Sequence, residues 1–507
     1  MSLPPLPVFV AAPAAFMPRA LWVLDTVLAP LGRRAEVVGE REAASGCALA
    51  YAPKPVAGVP TLPCSPDAVA LLLEDRPLPH GSFARHESGE GWPPGAFAAP
   101  RDGFAAPSDF IASAFVLLAC WDEHASAERD RFGRLPYCAS VFAAEPALVL
   151  EEPVVDGYVA ALRRVLAPRL AGLGLEPLPD PGWMWSDSGK TGEDGDRPHF
   201  AVALTHDLDN LRRWTLGGFG QSARRLARAT RHRDAAAAAG EARDLGDWLI
   251  HYLPRHTDPC WTFPQLLAGE NSRGAGSTFY VLPRRFTGKR DRLHAEYQRD
   301  IVEVFRLLSR ERREVGLHAV AGHGQASATP ESAAPDAASL DEDLRDLERR
   351  SGGAVRGVRY HYLRCLYHET LPVLDAAGLD YDTSLAFAER EGFRCGCSFP
   401  FHPYHVREER PLRLLELPLA IMDTSLLEER YRALDATGAE RVCGEILARV
   451  REGGGGVSLL WHNNRFDRRS AQGYDDVYWR VVDSVKRDGG FIGPATEVAR
   501  RWRARTT

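Results

Sequence analysis

Short apolar segments that end in acidic or imidazole side chains recur through the second half of the chain. They are followed by Asp207 and Asp209, by His318 and His323, and by Trp461 and His462. Segments with helical spacing of apolar residues separate them, so the pattern predicts repeated βα units and a parallel sheet, open or closed. In α/β barrels the carboxyl ends of the strands meet at one face and carry the catalytic residues. We therefore expect these side chains to converge.

The length and composition limit the class of protein. A chain of 507 residues is too long for one ordinary core, so two domains are expected. Its 45% apolar and 26% charged residues are typical of a folded globular protein, and a net charge of −6 gives no argument for nucleic-acid or membrane partners. No signal peptide or membrane-spanning apolar run is visible, which favours a cytoplasmic protein without membrane insertion. The oligomeric state stays open.

A polar, turn-rich segment at residues 181–198 is the predicted linker between two α/β regions. Residues 1–180 are predicted to form a smaller accessory domain, whose segments are a strand at 7–10, a helix at 19–28, a helix capped by Ser108-Asp109 and a helix at 155–170. Residues 199–507 carry the repeated βα units. The pattern predicts a parallel α/β sheet, open or closed, preceded by a smaller α/β domain.

The pair Asp207 and Asp209 is the strongest chemical signal. Residues two apart in a strand face the same side, so both carboxylates can enter one pocket. One can serve as a general base while the other holds a cation, because like charges and a metal shift the two pKa values in opposite directions. Asp, His and His ligands build an open divalent-metal site that activates water. The alternative is a pair of acids capping a helix, and His206, on the opposite face, is expected to be structural.

Motifs along residues 198–500 resemble, in order, those of the polysaccharide deacetylases of carbohydrate esterase family four. They are Asp207-x-Asp209, Ser277-Thr278-Phe279-Tyr280-Val281, Val315-Gly316-Leu317-His318, Gly357-Val358-Arg359, Tyr381-Asp382-Thr383-Ser384 and Leu459-Leu460-Trp461-His462-Asn463. The resemblance implies a distorted, incomplete barrel of fewer than eight strands and one divalent metal ion, often zinc. It also implies removal of acetyl groups from acetylated sugars. The N-terminal region resembles an uncharacterised domain that precedes such deacetylases in bacteria.

The resemblance also implies a metal-ligand set. Asp207 becomes the catalytic base, and Asp209, His318 and His323 become the metal ligands. Many relatives carry adjacent acids, so the roles of the two aspartates could be exchanged. Relatives usually space the two histidines one residue closer than here, so a water or a later residue is the alternative to His323.

Further roles follow from the remaining motifs. Arg359 matches the arginine that orients the base, and His462 matches the general acid for the leaving amine. Asp382 matches an acid that pairs with the arginine or lines the pocket. Trp461 and Tyr360 are the predicted substrate-binding residues. His361 lies on the same strand face as Arg359 and could replace a pocket group.

Together these residues predict a metal-dependent hydrolase that removes an acetyl group from an N-acetylated or O-acetylated sugar or glycoconjugate. One alternative keeps the barrel and cleaves a cyclic amide or another small C–N substrate. Another is a catalytically degenerate barrel that binds glycans. Metal content and acetate release distinguish the three hypotheses.

Overall fold

The computed structural model describes residues 3–40, 46–85, 91–99, 103–185, 198–214, 216–251, 258–283, 295–320, 337–467 and 473–506. The N-terminal region contains a four-stranded parallel sheet in the order β2-β1-β3-β4. Its strands are β1 (Leu6–Val10), β2 (Ala35–Val37), β3 (Leu49–Ala52) and β4 (Thr61–Pro63). Its helices span Met17–Leu28, Pro66–Leu73, Phe110–Leu118, Trp121–Ala125, Val141–Ala144 and Val154–Gly172. The N-terminal region is therefore α/β, as the fold prediction expected, and its extent as a domain stays a prediction.

The C-terminal region is built on a nine-stranded sheet in the order β12-β9-β8-β7-β6-β5-β14-β13, with β15 also paired to β5. The strands are β5 (Phe200–Asp207), β6 (Thr278–Val281), β7 (Glu314–Ala319), β8 (Gly357–Tyr360), β9 (Tyr381–Asp382), β12 (Leu415–Glu416), β13 (Leu419–Met422), β14 (Gly456–Leu460) and β15 (Gly490–Gly493). A separate two-stranded ribbon joins β10 (Tyr404–His405) to β11 (Arg410–Pro411). All neighbours within the large sheet are parallel.

The two ends of this sheet are joined by one stretch of chain. Its first half, β12, pairs with β9, and its second half, β13, pairs with β14. Only Leu417 and Pro418 separate the two strands, so residues 415–422 connect the two ends of the sheet and curve it into a barrel. In the described sheet β12 and β13 are not hydrogen-bonded to each other. The predicted distorted, incomplete (β/α) barrel is confirmed.

Helices surround the barrel and connect its strands. They span Leu216–Arg231, Ala235–His251, Phe263–Ser272, Ala295–Arg310, Ala337–Ser351, Tyr367–Ala376, Asp423–Leu427, Ala436–Gly453, Tyr474–Arg487 and Ala495–Thr506. Buried Leu340 belongs to the apolar face of the helix Ala337–Ser351. The helical hairpin formed by the first two helices was not predicted. No helix among the described residues is long and apolar enough to cross a membrane.

The two regions share one hydrophobic core rather than two separate ones. Polar contacts also join them. Arg19 pairs with Glu409 at 2.6 Å, and Trp22 Nε1 donates to the carbonyl of His402 at 2.8 Å. Buried Glu123 pairs with buried Arg394. The N-terminal region is therefore packed firmly against the barrel.

Within the predicted linker, Trp183–Trp185 form a 3₁₀ turn. Trp185 is buried, and its indole nitrogen donates to the carbonyl of Gly454 at 2.9 Å. Residues 186–197 lie outside the described residues. The boundary of the linker stays a prediction.

Candidate metal centre at the mouth of the barrel

The carboxyl end of β5 delivers both aspartates to one place. Asp207 is the last residue of the strand, and Asp209 follows two residues later. His318, near the end of β7, has its Nε2 3.1 Å from Asp209 Oδ1 and 3.6 Å from Asp207 Oδ2. The structure therefore brings both carboxylates beside one imidazole nitrogen.

A third side chain, His361, completes a group that could hold a metal ion. Asp209, His318 and His361 offer ligand atoms that all lie within 4.8 Å of one another. His361 Nε2 lies 3.7 Å from Asp209 Oδ1. Two ligands of a tetrahedral zinc ion, each about 2.0–2.1 Å from the metal, lie roughly 3.3 Å apart. The observed spacings therefore fit one cation held by three protein ligands.

The ring nitrogens of His318 have separate partners. Nδ1 lies 3.0 Å from the carbonyl oxygen of Arg359 on the neighbouring strand β8, to which it can donate. That leaves Nε2 directed at the two aspartates. A hydrogen bond of this kind fixes the tautomer and ring orientation of a metal-binding histidine.

His361 is held by a backbone turn of unusual conformation. It begins the 3₁₀ segment His361–Leu363 directly after β8. The next two residues, Tyr362 and Leu363, have φ values of 58° and 55°. A residue with a Cβ in this left-handed region costs about 1–2 kcal/mol. Two such residues in succession, beside the candidate ligand, mark the turn as a strained part of the site.

The candidate base is accompanied by a buried arginine. Arg359 Nη1 lies 3.7 Å from Asp207 Oδ1, and Nε donates to Thr383 Oγ1 at 3.1 Å. The guanidinium lies over the ring of Tyr280, 4.9 Å from its centroid. Gly316 leaves room for that ring, because a Cβ there would lie 2.5 Å from it. Arg359 is fully buried, and its Nη1 and Nη2 have no hydrogen-bond partner among the described residues.

His462 is oriented by a second acid, Asp423. Asp423 Oδ1 accepts from His462 Nδ1 at 2.7 Å, and Oδ2 accepts from the backbone N–H of His462 at 2.9 Å. The other ring nitrogen, Nε2, lies 3.6 Å from Asp209 Oδ2. The Nε2 atom of His462 therefore faces the metal-ligand group.

The charges in the site shift one another's pKa values. Burial alone would raise the pKa of Asp209, but His361, His318 and His462 outweigh it and hold that pKa far below its usual range. Burial lowers the pKa of His318, and Asp207 and Asp209 reverse the effect, so the net shift is upward. In the same way Asp423 overcomes the effect of burial and raises the pKa of His462 to about 9. The lowered pKa of Asp209 gives it the negative charge that binding of a cation requires. The raised pKa of His462 gives it the proton that a proton donor requires.

Three predicted site residues have contacts that direct them elsewhere. Asp382 accepts from the side chain and backbone N–H of Ser384, both at 2.7 Å. Trp461 is buried against Tyr474 and Tyr478 of a surrounding helix, at centroid distances of 5.8 and 5.7 Å. Tyr360, which alternates with Arg359 in β8, is buried in the hydrophobic core. Their assigned roles stay predictions, and His323 lies outside the described residues.

His206 has the structural role expected of it. It is fully buried, and its Nδ1 lies 2.6 Å from the carbonyl oxygen of Trp461. Its Nε2 lies 3.0 Å from buried Glu270, which also accepts from the hydroxyl of Tyr478 at 2.8 Å. These contacts tie the start of the His462 loop to the outer helices, away from the metal-ligand group.

Two members of the site were not identified from the sequence as such. His361 was considered only as a replacement pocket group, whereas its position makes it a candidate metal ligand. Asp423 was missed, although Leu419-Ala420-Ile421-Met422 precedes it as an apolar strand ending in an acid. The same pattern had identified Asp207, so that signal was present.

The fold and this cluster define an incomplete (β/α) barrel with a candidate metal centre at its mouth. Residues 11–170 match a protein family described as a family of unknown function, DUF7033. No curated protein matches the chain. The family match covers the N-terminal region in which an uncharacterised domain was predicted.

Several solved structures are similar to the chain, and three illustrate the range. A protein described as a polysaccharide deacetylase from Mycobacterium smegmatis is 17% identical, with a TM-score of 0.38, covering 63% of this chain and 94% of that one. Another so described, from Pseudomonas aeruginosa PAO1, is 14% identical, with a TM-score of 0.40, covering 66% of this chain and 97% of that one. A CE4 family pseudoenzyme from Bacillus anthracis is 9% identical, with a TM-score of 0.29, covering 59% and 65% of the two chains.

Proposed function

We propose that the protein is a metal-dependent hydrolase that removes an acetyl group from an N-acetylated or O-acetylated sugar or glycoconjugate. The observation that supports this most is the three-ligand group Asp209, His318 and His361, flanked by Asp207 and His462 at one mouth of the barrel. A carboxylate and an imidazole on either side of an open metal site are the groups that metal-assisted amide or ester hydrolysis needs.

The proposed ligands suit a borderline cation such as zinc. One carboxylate and two imidazoles are a common catalytic zinc set, with the fourth position left for water or substrate. When bound, the metal would supply Lewis-acid polarisation of the acetyl carbonyl and lower the pKa of a water molecule. Three ligands come from the described residues, and the role of His323 stays a prediction.

Asp207 is the proposed general base. It is almost completely buried beside the metal ligands, and its Oδ1 faces the guanidinium of Arg359. An arginine stays protonated under all ordinary conditions. Arg359 therefore lies where it can orient Oδ1, while Oδ2 is directed toward His318 and the space where a water would be deprotonated.

His462 is the proposed general acid. Because Asp423 engages Nδ1, a proton on Nε2 is presented to the site and can pass to the departing nitrogen or oxygen. Asp423 fixes the ring and balances the imidazolium charge, as the buried acid does in a Ser-His-Asp triad. The same residues would serve cleavage of a cyclic amide, so only a substrate panel distinguishes that alternative.

The test compares the protein with its Asp207→Asn variant and an exposed control, Asp476→Asn, on a panel of N- and O-acetylated saccharides and cyclic amides. We expect acetate from the metal-loaded protein and the control, and a 10²- to 10⁴-fold lower rate from Asp207→Asn, the usual contribution of general acid–base catalysis. Equal acetate release by Asp207→Asn would refute its role. Ring opening of a cyclic amide instead, detected as a new carboxylate and amine on one product, would favour the alternative hydrolase.

A further inference from the structure

A short turn of the N-terminal region, residues 130–134, is held in one shape by its own hydrogen bonds. Asp130 Oδ1 accepts from the backbone N–H groups of Phe132 and Arg134 at 2.8 and 3.0 Å. Its Oδ2 accepts from Nε and Nη2 of Arg134 at 2.9 and 2.6 Å. The guanidinium of Arg134 lies over the Phe132 ring, 4.8 Å from its centroid, and the side chain is buried.

This turn touches the strained loop that carries His361. The remaining guanidinium nitrogen of Arg134, Nη1, donates to the carbonyl of Tyr362 at 2.6 Å. The ring of Phe132 stacks on Tyr362 at 4.9 Å between centroids, with 25° between the planes. Tyr362 stacks in turn on His361 at 3.9 Å and 24°. A continuous series of contacts thus runs from Asp130 to a candidate metal ligand.

The loop needs such support from outside. Tyr362 and Leu363 adopt left-handed φ values without being glycine, and such backbone persists only where its surroundings over-determine it. Arg134 binds the carbonyl of one of these two residues, and Phe132 covers its ring. Without these contacts the turn could relax to an ordinary conformation and carry the imidazole of His361 away from Asp209.

We infer that the N-terminal region is a positioning element of the metal centre, in which Arg134 and Phe132 hold His361 in its ligating position. The inference rests on the proposed function only in requiring that Asp209, His318 and His361 bind a divalent metal. It assigns a role to a region whose matching family has none described. Outer contacts of this kind typically alter metal affinity by 10- to 100-fold when removed.

The test measures zinc affinity of the metal-free full chain by competition with a chelator, without any activity assay. The variants are Arg134→Met, which keeps length but removes every donor, Phe132→Leu, and Arg134→Lys, which retains one charged donor for the Tyr362 carbonyl. Arg19→Met is the matched control, since it breaks another buried contact between the same two regions. Thermal unfolding of each metal-free variant separates a loss of folding from a loss of affinity.

We expect zinc to bind at least tenfold more weakly to Arg134→Met and Phe132→Leu, with partial recovery in Arg134→Lys and a change of less than twofold in Arg19→Met. Unchanged affinity in Arg134→Met would overturn the inference while leaving the proposed function intact. An equal loss in Arg19→Met would overturn it too, because general loosening of the two regions would then explain both results. A parent protein that binds no divalent metal would refute the proposed function itself, and a loss seen in His323→Ala but not in His361→Ala would show that the wrong histidine had been assigned.

Discussion

The two parallel sheets of this protein differ in what stands at the carboxyl ends of their strands. In the N-terminal sheet β1, β3 and β4 end in Val10, Ala52 and Pro63, whereas β5 and β7 of the barrel lead to Asp207, Asp209 and His318. Under the proposed function, the same topology has a reactive edge in the barrel and an inert edge in the N-terminal region. Parallel strands create the meeting place, and the side chains at their ends decide whether chemistry occurs there.

Buried acids show the contrast most clearly. In the N-terminal region Asp109 caps the helix Phe110–Leu118 through the N–H of Ala112 at 3.0 Å. It also accepts from the backbone N–H of Ser65 at 2.7 Å and from the Tyr51 hydroxyl at 3.0 Å. In the barrel, Asp207 Oδ1 has no hydrogen-bond partner among the described residues. Carboxylates whose bonds are all used support the fold, and those with unused capacity can act on a ligand.

The largest expected effect comes from removing a ligand at the reactive edge. Asp209→Ala should lower zinc affinity and acetate release by 10³-fold or more, because the carboxylate faces all three site histidines. Zinc content by mass spectrometry and initial rates measure it. Asp109→Ala is the matched variant at the inert sheet, and full zinc binding is expected once that variant is folded. Loss of zinc in both variants would remove the contrast between the two edges.

A smaller effect is expected at the acid behind the imidazole. Asp423→Asn keeps the shape of the side chain but removes the charge that holds His462, so the turnover number should fall about 10²- to 10³-fold. Zinc affinity should change little, because Asp423 is outside the Asp209, His318 and His361 group. Steady-state kinetics with parallel zinc titration separates the two. A variant that loses zinc but retains turnover when reloaded would show that Asp423 supports the metal rather than the acid.

Substitution of a buried acid at the inert edge should lower the stability of the protein instead of its activity. Asp109→Ala removes a helix cap and leaves the Ser65 amide and the Tyr51 hydroxyl buried without this acceptor. It should lower the free energy of unfolding by about 2–4 kcal/mol. Urea denaturation measures the change, and Asp67→Ala, on an exposed first turn of another helix, is the control. A loss below about 0.5 kcal/mol would mean that the N-terminal acid is not structural.

How much of this could be read from the sequence differs between the fold and the site. The strand ends, the Asp109 cap and the parallel sheet follow from local pattern, because apolar periodicity and turn residues act over a few positions. That the sheet forms an incomplete barrel was implied only by the family resemblance. The third candidate metal ligand, His361, does not follow from local pattern. His323 and His361 both follow apolar strands, and the turn conformation that directs His361 is set by Arg134 and Phe132, more than 200 positions away in the chain. Neither spacing nor propensity carries that information.

The smallest expected effect concerns pH and lies where the two regions meet. Asp156 is buried and accepts from the backbone N–H of Ser398 at 2.9 Å as well as from its hydroxyl, and burial raises the pKa of this carboxyl to about 7. An ordinary unfolded aspartate has a pKa near 3.9. Between these two values the folded protein holds a proton on Asp156 that the unfolded chain releases, so the contribution of this carboxyl to stability is greatest below about pH 4 and is lost as pH rises through 7.

The side chain in Asp156→Asn cannot ionise. Between pH 5 and pH 7 we therefore expect this variant to lose about 2 kcal/mol less stability than the parent protein loses. Urea denaturation at both pH values measures the slope, and Asp476→Asn is the exposed control. Burial raises the pKa of Asp109 to about 7 as well, so some dependence should remain in Asp156→Asn. An unchanged slope would mean that Asp156 stays ionised in the fold. Asp156 would then carry a charge in the folded protein, as the carboxylates at the barrel mouth are proposed to do. It would not resemble Asp109, whose pKa is raised by burial.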